Sequence, residues 1–345
     1  RYASRGLGDV YKRQGENNFS HENEENIGVL ICNLGTPDSY SVSHVRAFLR
    51  EFLSDKRVIE IPRILWWFIL NLFILPFRPF SSAKLYKSVW TEEGSPLMVY
   101  SQKLVKKLEQ DLPPNYSLAL GMRYGNPSIN AALEKLKHNN CRKIVVLPLF
   151  PQYSATTTGS IFDKVSEVIS SWRWVPSLIF VNSYHDDKNF IKAISQSLKP
   201  KFDQENPDKI VFTYHGIPKK YFDQGDPYHC LCQKTSRLVC EELGIQKEKA
   251  ITAFQSRLGS AEWLKPYTSE VMKSLPKENC KNILVIAPGF SMDCLETIEE
   301  IDEENKEYFI ESGGEKFSYV ECLNDSDDHV DFLKHFIQQQ VSSWQ

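Results

Sequence analysis

Eight short runs rich in aliphatic and β-branched residues, separated by stretches with helical periodicity, constrain this chain more than any other feature. They are "IGVLICNLGTP" at 27–37, "YSLALGMRYG" at 116–125, "KIVVLPLFPQYS" at 143–154, "SLIFVNSY" at 177–184, "KIVFTYHG" at 209–216, "AITAFQSRLG" at 250–259, "NILVIAPGF" at 282–290 and "KFSYVECLN" at 316–324. Good helix formers with helical periodicity fill intervals such as 100–110, 128–138, 189–199, 233–243 and 328–340. Strand, helix and strand in alternation fold as parallel sheet with helices on its faces. The expected fold class is therefore α/β, with two similar doubly wound Rossmann-like domains, each a four-stranded parallel sheet with flanking helices. The runs divide into halves at 26–184 and 185–325, and the segment 326–345 is expected to form a last helix that packs back on the first half.

Charge and cysteine usage narrow the partners. With 41 Lys and Arg against 44 Asp and Glu the net charge is -3, so nothing global advertises nucleic acid. The eight cysteines show neither the paired CxxC spacing of a zinc site nor the density of a disulfide-stapled domain, and a reducing cytoplasm is the expected location. Residues 1–25 begin "RYASRGLGDVYKRQ", lack the apolar centre of a secretory signal, and are expected to be disordered or foreign to the fold.

Chemistry is sought where strands end, because ligands bind beyond the C-terminal edge of a parallel sheet. "NLGTP" at 33–37 has one glycine and no following lysine, which removes most support for a nucleotide site. "VFTYHGIP" runs from an apolar strand straight into His215, Gly216 and Pro218, so an imidazole sits at a strand end. After "NILVIAPGF" come Asp293, Glu296, Glu300 and Glu303, whose spacing of three, four and three places them on one face of an α-helix. Such a row is either a solvated helix face or a set of mutually repelling carboxylates that attracts a divalent cation. Histidine and carboxylate together would make an open site, able to release a metal or remove protons from a substrate.

One segment is unusual for a soluble chain. "ILWWFILNLFILPF" at 64–77 has only Asn71 as a polar residue and is flanked by Arg63 and Arg78. Fourteen residues are too few to span a bilayer, which takes about 20. The segment reads either as a buried helix or as an interfacial lip at the mouth of an apolar cleft.

The motifs "NLGTPDS", "FLSDKRVIEIP", "LYKSVWTEEGSPLMVYS", "LGMRYGNPSI", "VVLPLFPQYSATTTGS", "FTYHGIPKKYFDQGDPY", "TAFQSRLGSAEWLKPYT" and "IAPGFSMDCLETIEEI", in that order, resemble the ferrochelatase family in its proteobacterial form. The resemblance covers the chain from about Ile27 to about residue 340. It implies insertion of Fe²⁺ into protoporphyrin IX to give protohaem and two protons, the last step of haem biosynthesis. It implies that His215 and Glu296 face each other across the porphyrin cleft as the catalytic and metal-binding pair, with His215 a proton acceptor or an early metal ligand. Tyr86, Ser95, Arg123 and Tyr124 fall where the family shapes its pocket and handles propionates, and Trp263 and Phe290 would add aromatic walls. Asp293, Glu300 and Glu303 would carry protons out or iron in. The segment 64–77 becomes a hydrophobic lip that touches the cytoplasmic face of the inner membrane.

No cofactor beyond substrate iron is expected. Some family members bind a [2Fe–2S] cluster, but this chain has only Cys322 after Cys294, and Cys230, Cys232 and Cys240 beside His229 read as packing or surface thiols. Chelatases for another tetrapyrrole or metal, and a carrier that binds without turnover, are the competing readings. The carrier leaves the pairing of His215 with Glu296 unexplained.

Overall fold

Every one of the eight apolar runs becomes a strand, in a computed structural model that describes residues 15, 22, 24–257, 259 and 261–344. Most of the segment 1–25 lies outside the described residues. The strands are β1 (Asn26–Asn33), β2 (Tyr116–Met122), β3 (Cys141–Pro148), β4 (Ser177–Phe180), β5 (Lys209–His215), β6 (Ala250–Gln255), β7 (Asn282–Ile286) and β8 (Lys316–Val320). They form two four-stranded sheets in the orders β2-β1-β3-β4 and β6-β5-β7-β8, with all pairings parallel. Both halves thus share one topology, and in each the chain switches sides at the central strand pair, where a crevice opens beyond the strand ends.

Alternation within the strands explains the layering. Val29 and Ile31 of β1 face a cluster that also holds Phe212, Tyr214, Leu284 and Ile286 of the second sheet, so one apolar core runs between the halves. Leu30 and Cys32 point the other way, against Leu133, Leu136, Ile161 and Val165. Val211, Ile283 and Val285 pack outward on Met272, Phe309 and Phe317. Burial on both faces is why these strands read as continuous apolar runs.

The final helix, Asp327–Gln340, packs on the helices Pro96–Asp111 and Lys188–Glu205, so it bridges both halves. Phe332 and Phe336 lie 5.5 and 5.6 Å from the Tyr184 ring, and Lys143 Nζ donates to Trp344 O at 3.1 Å. His329 in its first turn is buried, with Nδ1 2.6 Å from Asn324 O and a buried Nε2 that has no hydrogen-bond partner. Burial pushes its pKa down to about 4. A folded pKa below the unfolded value means stability is full above about 6.5 and is lost as pH falls toward 4, by about 3 kcal/mol for this group. Thermal unfolding between pH 7 and 4 should therefore show a shallower decline for His329→Asn than for the parent; equal slopes would refute this assignment.

Candidate active site

His215 is the last residue of β5, and its ring is fixed by its own neighbour. Nδ1 lies 2.7 Å from Gly216 O; a carbonyl only accepts, so Nδ1 carries the hydrogen and Nε2 of the neutral ring keeps its lone pair. The glycine that follows is required by packing: a Cβ there would lie 2.8 Å from Gln255 O and 3.2 Å from Trp263 Cε3. Trp263 flanks the imidazole with ring centroids 6.4 Å apart.

The next strand end, after β6, anchors the acidic segment. Gln255 is buried; its amide nitrogen donates to Glu296 O at 3.0 Å and to Glu300 Oε2 at 3.2 Å, while its amide oxygen accepts from Thr213 Oγ1 at 3.0 Å. Ser256 has a left-handed backbone, φ 65°, and gives both its N–H (2.7 Å) and its hydroxyl (2.5 Å) to the Glu300 carboxylate. Burial pushes the Glu300 carboxyl above the usual range, opposed by the Ser256 hydrogen bonds and, once its ring is protonated, by His215, and reinforced by Glu296. His215, Glu296 and Glu300 therefore share one electrostatic site.

The structure corrects the acidic row. Leu295–Ile298 is a single α-turn, Glu300–Asn305 is π-helical, and Lys306–Glu311 returns to α. The wider π-turn rotates Glu303 out to solvent. Burial and the charges of Glu304, Glu300, Glu303 and Glu296 raise the Glu299 pKa, and Glu304 accepts from Tyr308 Oη at 2.5 Å. Glu300 and Glu304 together line a hollow of about 230 Å³ with Arg257, Tyr267 and Tyr308, so the row continues through Glu304 rather than Glu303. Asp293 lies outside it, before the helix. Its carboxylate is buried and caged by Tyr319 Oη (2.9 Å), Thr297 Oγ1 (2.9 Å), Asn324 Nδ2 (2.7 Å) and Cys322 N (3.2 Å). The bonds from Tyr319, Cys322 and Asn324 tie the loop after β7 to β8 and the segment that follows it.

The opposite wall comes from the helical run Arg63–Val89, whose Leu75–Val89 portion packs against Leu295–Ile298. Tyr86 is partly buried; burial raises its pKa, as do the charges of Glu296 and Cys294, while Arg78 lowers it. Arg78, whose charge acts on Tyr86, is a cation that the sequence marked only as the flank of the apolar run. It is solvent-exposed and has no carboxylate partner among the described residues. Its only sequence signal is that it ends an apolar run.

The remaining expected pocket residues divide. Phe290 packs with Leu97, Met122 and Cys294 near the acidic helix. Ser95 is buried, and its hydroxyl accepts from Thr36 Oγ1 at 2.9 Å. Tyr124 is fully buried and donates to Asp55 Oδ2 at 2.8 Å; Arg123 bonds the same oxygen at 2.5 Å and Ser160 Oγ at 2.6 Å. Ser95, Arg123 and Tyr124 are thus each hydrogen-bonded within the protein itself.

Comparison with known proteins gives a consistent result. The profile of the ferrochelatase family matches residues 26–341. The chain is 48% identical over 338 residues to a ferrochelatase of Idiomarina loihiensis, covering 96% of this chain and 93% of that protein. It is 50% identical over 335 residues to one of Hydrogenovibrio crunogenus, covering 94% and 89%. Among solved structures, sirohydrochlorin chelatase SirB of Bacillus subtilis subspecies spizizenii in complex with cobalt superposes with a TM-score of 0.54 at 9% identity, over 93% of this chain and 98% of that one. SirB from Bacillus subtilis with Fe³⁺ gives 0.52 at 12% identity, over 92% and 96%. At these identities the structural likeness is one of fold.

Proposed function

The chain belongs to the ferrochelatase family and inserts ferrous iron into protoporphyrin for haem synthesis, and from that premise we propose how its residues divide the work. Metallation removes two pyrrole protons and brings a dication to a ring whose nitrogens lie in its plane. In this reading His215 takes the two pyrrole protons one after the other on Nε2, passing the first to solvent before it accepts the second, and Glu296, backed by Glu300 and Glu304, draws in the ferrous ion. The observation that carries it is the union at one crevice of an imidazole with a fixed free lone pair and a column of carboxylates. A neutral base suits proton removal, and an anionic column suits a cation. The column opens outward at the hollow beside Glu304, which gives iron or protons a way past Glu300 without crossing the porphyrin.

Protoporphyrin is flat, apolar and dicarboxylic. Tyr86, Trp263 and Phe290 would hold its faces, and Arg78, exposed and without a carboxylate partner among the described residues, would hold a propionate. Anaerobic incubation with protoporphyrin and Fe²⁺, followed by absorbance, tests the assignment. Arg78→Leu should raise the KM for porphyrin roughly tenfold with kcat nearly kept, as expected for one lost charge-assisted contact. An unchanged KM would remove Arg78 from the site.

Substrate iron is the only metal this reading requires. Cys230 is exposed while Cys232, two residues on along the helix Tyr228–Leu243, is buried and held protonated by burial, so the two point to different sides. All eight cysteines are unpaired thiols, which supports a reducing, cytoplasmic location.

The reading includes membrane contact through the lip. The apolar run extends into 27 helical residues, Arg63–Val89, long and apolar enough to cross a bilayer by length and composition. One face packs on the helix Val42–Ser54 through Trp66, Leu70, Leu75 and Ala83. Ile64, Trp67, Phe68, Phe73 and Phe77 are exposed on the other. A helix tied to the fold along one side and greasy along the other lies in the interface rather than across it.

A further inference from the structure

Resting on that membrane contact, we propose that the lip carries a built site for the phosphate headgroup of an anionic phospholipid, formed by Arg50 and Arg63. A hollow of about 270 Å³ opens at the base of the lip, lined by Arg50, Ser54, Arg63, Trp66, Trp67 and Asn71. Its walls are fastened: Trp66 Nε1 donates to Leu53 O and Arg63 Nη2 to Ser54 O, each at 2.6 Å, and Asn71 Nδ2 donates to Trp67 O at 2.8 Å. One guanidinium is therefore held with most of its N–H groups free, and Arg50 across the hollow has no hydrogen-bond or ion-pair partner among the described residues. One anchored guanidinium and one unpartnered guanidinium lining the same hollow offer the N–H groups that the oxygens of a phosphate diester accept.

The surroundings select a lipid over a free anion. Trp67 lines the hollow, and Ile64, Phe68 and Phe73 are exposed on the same helical run; these apolar side chains would sit at acyl-chain depth while the arginines stay at headgroup level. Residues 42–89 hold eight Lys and Arg against three Asp and Glu, in a chain whose net charge is -3. The basic charge is thus gathered around the apolar face, the pattern of a surface that prefers anionic leaflets.

Sedimentation of the full chain with vesicles tests this. Compared are phosphatidylcholine alone and a mixture with roughly one part in three phosphatidylglycerol, at ~0.1 M salt. The parent should bind both and prefer the anionic vesicle about thirtyfold, roughly fivefold for each arginine. Arg50→Gln with Arg63→Gln should erase the preference and keep phosphatidylcholine binding, and Arg50→Gln alone, which breaks no bond within the fold, should remove about half of it on a logarithmic scale. Lys84→Gln with Lys87→Gln removes equal charge from the far end of the helical run that starts at Arg63 and should leave most of the preference. If both double variants lose it equally, a diffuse field acts and the site is refuted. If sodium phosphate displaces the protein from anionic vesicles better than sodium chloride of equal ionic strength, the hollow is a free-phosphate site and the lipid assignment fails. Trp67→Glu with Phe73→Glu should abolish binding to both vesicles. Undiminished binding by that variant overturns the membrane contact itself, whereas equal parental binding to both vesicles overturns only the headgroup site.

Discussion

Replacing His215 by alanine should lower kcat for haem formation by about a thousandfold or more while leaving the KM for porphyrin within about threefold. The asymmetry follows from the local structure. His215 contributes an Nε2 lone pair at the end of β5, held by the Nδ1 contact with Gly216 O, whereas the porphyrin faces are proposed to rest on Tyr86, Trp263 and Phe290. Without the imidazole the bound porphyrin keeps its protons. Anaerobic stopped-flow absorbance with saturating Fe²⁺ measures the step, and porphyrin fluorescence measures binding separately. Partial recovery on adding free imidazole would show that the missing group is a base and not a packing element. A variant that retains even a tenth of parental kcat would mean that protons leave by another route.

Glu296→Gln should act on the metal instead, lowering kcat/KM for Fe²⁺ by about a hundredfold, mostly through a raised KM for the ion. The amide keeps the size and shape of the side chain, and the Gln255 contact is to the Glu296 backbone carbonyl, so the fold around it is retained. Only the charge is lost. Glu300 and Glu304 still stand behind it, so attraction of the cation is weakened and not abolished. Initial rates over a range of Fe²⁺ at saturating porphyrin decide the matter. If His215→Ala and Glu296→Gln depress the same kinetic parameter equally, the division between a proton acceptor and a metal-guiding carboxylate is wrong.

The acidic segment shows how local chemistry and assembly divide the information. Composition placed four carboxylates after β7, but the α-helical period that put Asp293, Glu296, Glu300 and Glu303 on one face assumed a regular helix. The Glu300–Asn305 π-turn shifts that phase, and its cause is tertiary: Ser256 and Gln255, from the end of β6, grip Glu300. Asp293 likewise left the row because Tyr319 and Asn324, distant in sequence, supply the partners a buried carboxylate requires. Arg78 was legible only as a flank for the reverse reason, since a cation that lacks a carboxylate partner can be recognised only when its neighbours are known.

The sequence by itself determined the eight strands, their parallel arrangement in two like sheets and the strand-end position of His215, because continuous apolar, β-branched runs and strand-terminal glycine and proline act over a few residues. Tertiary structure alone decided which carboxylate gathers beside the imidazole, which arginine lacks a carboxylate partner among the described residues, and that Ser95, Arg123 and Tyr124 are hydrogen-bonded within the protein. Burial and hydrogen-bond saturation are properties of a side chain's surroundings, and those surroundings come from segments tens to hundreds of residues away.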